Sequence, residues 1–134
     1  MRIHEILQTK SNCVPVALQR VTDASDEEIE SVCAKHRWTE RQGMNIGQII
    51  GALKSLGYTY KSRNDLVFYK AERDGQRFNI ARTLNQLLKI IPMGRFLVSV
   101  RGHTIAIVDG KIYDDASFGL KHKVNDVIEV FPSN

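Results

Sequence analysis

The sequence predicts an α+β fold in which N-terminal helices pack on a C-terminal antiparallel sheet. Three observations point there. Up to Ile91 the apolar residues recur mainly at helical spacing, whereas after Gly94 they fall in short β-branched or alternating blocks. Asp109-Gly110, a dipeptide suited to a two-residue hairpin, separates two of those blocks. Helical runs followed by strand runs, rather than an alternation of the two, form the pattern of segregated layers with a helix laid against the sheet.

The elements follow in order. Met1 to Leu7 is a short lead-in, either a strand or a turn of helix. Val14, Ala17, Leu18 and Val21 have the i, i+3, i+4, i+7 spacing of a helix from Cys13 to Val21. Pro15 suits its first turn, and Ser11 or Asn12 can cap it. Ser25 to Glu28 has the S-x-x-E form of a capping box. It opens a second helix to about His36, with Ile29, Val32, Cys33 and His36 on one stripe. Cys33 reads there as a small core residue, and Trp38 as core or cleft wall. After a polar loop from Arg41 to Met44, Asn45 and Gln48 resemble a helix start. Ile46, Ile49, Ile50, Leu53 and Leu56 give that helix one apolar face, with Gly57 placed as its C-cap. Leu66 to Tyr69 is strand-forming, and Arg73-Asp74-Gly75-Gln76 is a hairpin turn before Arg77 to Ile80. Leu84, Leu87, Leu88 and Ile91 make a fourth helix, stopped by Pro92 and Gly94. Strands are then expected at Phe96–Val100, Thr104–Val108, Lys111–Asp114 and Val127–Phe131.

At 134 residues the chain reads as a single domain, 1–134. No apolar run approaches the ~20 residues of a membrane span, and the N-terminus lacks the apolar core of a signal peptide. A cytoplasmic protein without membrane attachment is expected. The net charge is +4, from 19 basic and 15 acidic residues. Acidic residues stand among the basic ones and no nucleic-acid motif accompanies them, so nucleic acid is not expected as a partner. Cys13 and Cys33 read as free thiols in a reducing compartment. His4, His36, His103 and Cys33 lack zinc-site spacing, and neither a metal nor another cofactor is expected.

The chemistry-bearing residues lie far apart in sequence. Cys13 stands just ahead of a helical run, where backbone N–H groups and the helix dipole favour a thiolate. His103 heads a strand on which it shares a face with Ile105 and Ile107. Pairing around Asp109-Gly110 sets Lys111 opposite Val108, Ile112 opposite Ile107 and Asp114 opposite Ile105. Asp114 is then a diagonal neighbour of His103, while Asp115 points to the other face. Singly these are ordinary: a buried structural thiol, a polar strand end, an acid closing a strand. Jointly they supply a nucleophile, an imidazole able to hold it as thiolate, and a carboxylate to orient the imidazole.

The order Gln8, Cys13 at a helix start, Gly102-His103 on a strand, and Asp114 after an Asp-Gly turn resembles the papain-like cysteine peptidases. The compact version most similar to it is the leader-processing peptidase domain of bacteriocin exporters. In that family an early Q…C-x-P-x-A-L segment is followed by a Gly…helix…L-G-Y stretch, matched by Gly43 to Tyr58. The resemblance implies Cys13 as nucleophile, His103 as general base and acid, and Asp114 as orienting group. It also implies Gln8 as an oxyanion-hole donor beside the backbone N–H of Cys13. The chain departs from the pattern in having Val14 directly after the cysteine and Gln8 five residues before it. Ser11 or Asn12 can take the donor role instead.

The expected function is therefore a papain-like thiol hydrolase, cleaving an amide or peptide bond of a peptide or protein through an acyl-enzyme on Cys13. Two alternatives stand beside it. One is a cell-wall amidase sharing the Cys–His core. The other is a catalytically inactive papain-like module that binds a protein or nucleic acid.

Overall fold

The computed structural model describes residues 13–36, 46–100, 103–113 and 120–133. Gln8, Trp38, Asp114 and the 41–45 segment lie outside them, so the expectations placed there concern undescribed residues. The described elements are α1 (Cys13–Val21), α2 (Asp26–Lys35), α3 (Ile46–Ser55), β1 (Tyr58–Ser62), a 3-10 turn (Asn64–Leu66), β2 (Phe68–Arg73), β3 (Gln76–Ala81), α4 (Leu84–Ile90), β4 (Arg95–Val100), β5 (His103–Val108), β6 (Lys111–Tyr113) and β7 (Asp126–Pro132). This is an α+β fold with antiparallel sheets.

Local chemistry explains most boundaries. Ser25 caps α2 as a complete capping box, its hydroxyl accepting from the Glu28 N–H while the Glu28 carboxylate accepts from the Ser25 N–H. Bonds to the Glu28 carboxyl from the Ser25 backbone N–H first, and from the Ser25 side chain second, hold it below the usual carboxylate range. Thr83 and Gln86 form the same device on α4. Gly57 follows α3 at φ 83°, the left-handed conformation that glycine adopts without steric cost. Asp74-Gly75 and Asp109-Gly110 both have positive φ at both residues, the two-residue turn whose twist matches its flanking strands.

The main sheet has the order β1-β7-β4-β5-β6, every neighbouring pair antiparallel. One face buries Leu97, Ala106, Ile128 and Val130 with Val14, Ala17, Leu18 and Val21 of α1 and the apolar stripes of α2 and α3. The other buries Phe96, Val98, Val100, Ile105, Ile107 and Val127 beneath Leu84 and Leu87 of α4. β2 and β3 form a separate two-stranded ribbon.

The structure corrects the sequence reading in four places. The sheet is covered on both faces, by three helices on one side and α4 on the other, rather than by one laid helix. β1 was not anticipated: its Tyr-Thr-Tyr-Lys-Ser run becomes a strand by pairing with β7 at the far end of the chain. Leu66 belongs to the 3-10 turn, so β2 starts at Phe68. On α3 the fully buried residues are Ile49, Ala52 and Leu53, whereas Ile46 is 48% exposed.

Candidate functional site

The geometry of Cys13 and His103 follows from how α1 lies on the sheet. Arg95 Nη1 donates to the Val21 carbonyl at 3.3 Å, and Arg95 is paired with Val108. The Arg20 guanidinium lies 5.1 Å from the ring centre of Tyr113, which is paired with Ala106. These contacts fix the C-terminal end of α1 at the Val108 end of β5. Because α1 packs closely along β5, helix and strand run in the same direction. A nine-residue helix spans about 13 Å and a six-residue strand about 17–20 Å. Cys13, the first residue of α1, therefore stands at the His103 end of β5.

Several side chains hold this placement. Arg95 also donates to Asp23 Oδ1 at 3.2 Å, and the Asp23 N–H donates to Tyr58 Oη at 2.8 Å, tying the segment after α1 to β4 and β1. Thr22 Oγ1 donates to the Leu18 carbonyl at 2.7 Å, satisfying its hydroxyl where it is buried. Sequence reasoning missed Arg95, Tyr58 and Arg20 as positioning residues. Their partners lie tens of residues away, and no local signal pairs them.

The electrostatics at the head of α1 are simple. No acidic residue occupies its first turn, so nothing there opposes negative charge at the helix N-terminus. Cys33 is the opposite kind of cysteine: it is 1% exposed, and burial pushes its thiol up to about 12. It is the small core residue expected of it.

On β5, His103 is exposed and lies opposite Val100, sharing its face with Ile105 and Ile107 as expected from the alternation. The face beneath α1 belongs instead to Ala106 and to Thr104, a buried polar residue opposite Ser99. The β5–β6 register is the expected one, with Val108 opposite Lys111, Ile107 opposite Ile112 and Ala106 opposite Tyr113. Asp114 and Gln8 lie outside the described residues; of the four expected site residues, the backbone places Cys13 and His103 towards the same end of the sheet.

Among the described residues, no group of three or more His, Cys, Asp and Glu side chains could hold a metal ion. No described helix is long and apolar enough to cross a membrane. Comparison with protein-family models, with curated proteins and with solved structures finds no match.

Proposed function

We propose that the chain is a papain-like thiol hydrolase that attacks the carbonyl of a peptide or amide bond through Cys13. The observation that supports it best is the common end: Cys13 opens α1 where β5 begins at His103, although the two are separated by most of the chain. In this reading the helix N-terminus favours the thiolate, and His103 keeps it deprotonated and then protonates the leaving amine. Asp114, next in sequence after the last residue of β6, orients the imidazole. Gln8 would join the Cys13 N–H as oxyanion donor, a contribution of about 10²–10³ in rate for groups of this kind.

A second reading, a papain-like module that binds without catalysis, draws on one observation. The alternation of β5 sets His103 on the face away from α1, and a binding protein has no need of the thiolate–imidazole contact.

The pH-rate profile of alkylation at Cys13 separates them, measured by mass in a Cys33→Ala background with and without His103→Ala. The hydrolase reading expects fast alkylation persisting to about pH 6 and slowed by loss of His103. A profile rising only near pH ~8.5, unchanged by His103→Ala, sinks it and leaves the binding module.

A further inference from the structure

The β2–β3 ribbon stands apart from the proposed catalytic end. Among the described residues it pairs with no other strand, and none of its side chains is fully buried. A two-stranded ribbon is marginal in water by itself, so one that exposes both faces is a surface suited to a partner.

Its charge indicates the kind of partner. Residues 68–82 hold Lys70, Arg73, Arg77 and Arg82 against Glu72 and Asp74. At the base, Thr83 bridges Lys123, the Lys123 ammonium donates to the Ala81 carbonyl at 2.9 Å, and exposed Lys121 lies nearby in sequence. Together these segments contain six of the 19 basic and two of the 15 acidic residues. The remaining thirteen of each sign cancel, so ribbon and base account for the whole net charge of +4.

Aromatic rings accompany it. Phe78 lies opposite the small Ala71 and is 40% exposed, with Tyr69 opposite Ile80 as its diagonal neighbour on the same face. Arg82 sits 5.7 Å over the Tyr69 ring, and Arg73 shares that face near the tip. Rings laid on a strand surface and flanked by cations can stack bases while the cations hold phosphates.

We infer that the β2–β3 ribbon and its base bind single-stranded nucleic acid, with bases stacked on Phe78 and Tyr69 and phosphates on Arg73 of the same face and on Lys121 and Lys123 at the base. This departs from the expectation, drawn from the linear charge pattern, that nucleic acid is no partner. It is independent of the chemistry proposed for Cys13.

Fluorescence anisotropy of a labelled 20-nucleotide single strand, titrated with the full chain at about 50 and 200 mM salt, tests it. Binding should weaken with salt. Arg73→Ala with Lys121→Ala should weaken it further and flatten the log–log salt slope by about 1.4, two contacts at ~0.7 each. Phe78→Ala should weaken binding about ten-fold with the slope unchanged. Lys35→Ala, an exposed change on α2, should alter neither. The altered residues on the ribbon and its base are exposed, so circular dichroism should be unchanged. Absence of binding at the lower salt, or equal losses in the Lys35 variant, overturns the inference. Tighter binding to a duplex than to the single strand also overturns it. So does competition by polyglutamate at equal charge, which would indicate an acidic protein instead.

Discussion

The two faces of the main sheet are built on different principles, and β5 contributes to both. Beneath α1 the buried residues include Ala106, with Ala17 on the helix itself, and the helix backbone comes close to the strand. Beneath α4 they are Phe96, Val98, Ile105 and Ile107 against Leu84 and Leu87, a thicker layer of large side chains. Small residues let the first face hold a helix close and in one orientation, which fixes where Cys13 stands. The second face supplies bulk, and its cover leaves the ribbon outside.

Paired substitutions are the sharpest way to break that contrast. Phe96→Ala, in the thick layer, should destabilise by about 3–5 kcal/mol through lost transfer energy and a cavity. Ala106→Leu, in the close layer, should cost about 1–3 kcal/mol through overpacking and should also displace α1. Urea midpoints read the first effect, and Cys13 alkylation rates read the displacement. If Ala106→Leu left both quantities unchanged, the close approach would not be what positions the helix.

Alkaline pH probes the α1-covered face through Cys33. Burial pushes the Cys33 thiol up to about 12 in the folded protein, above its ordinary 9.0, so the fold favours the protonated form. That contribution is complete below pH 9 and is lost as pH rises towards 12, because the unfolded chain gives up the proton first. Stability should fall by about 1.4 kcal/mol per pH unit in that window from this group. The difference between wild type and Cys33→Ala in denaturation at pH 8 and pH 10 isolates it. An identical pH dependence in both would mean that the thiol is not shielded.

The two capping boxes offer the smallest and most symmetrical comparison, one over each face. Ser25→Ala and Thr83→Ala should each cost about 1 kcal/mol, since each removes the acceptor for one N–H at a helix start. Thermal denaturation measures both. A much larger loss at Thr83 would indicate that its bridge to Lys123 also organises the base of the ribbon.

Elements whose signal lies within a few residues were legible in the sequence. The Ser25 capping box, the Gly57 cap, both Asp-Gly turns and the β5–β6 register are local chemistry, set by side chains near the backbone groups they satisfy. The apolar stripes of α1 and α2 were legible for the same reason, because helical periodicity is a short-range property. β1 was not, since its strand state depends on pairing with β7, some seventy residues on. Nor was the exposure of Ile46, which shares the periodicity of Ile49 and Leu53 but not their neighbours.

At the candidate site the division falls in the same place. The sequence determined by itself that Cys13 opens a helix, that His103 heads a strand and that β6 follows in a definite register. Only the tertiary structure decided that the two heads share one end of the sheet, through Arg95 on Val21 and Arg20 on Tyr113. It also decided that α1 covers the Ala106 face while His103 shares the face of Val100, and that Lys123 joins the basic residues of the ribbon at its base. The physical reason is range: caps, turns and periodicity act over a few residues, whereas the side of a sheet that a helix covers is chosen by packing the whole chain at once.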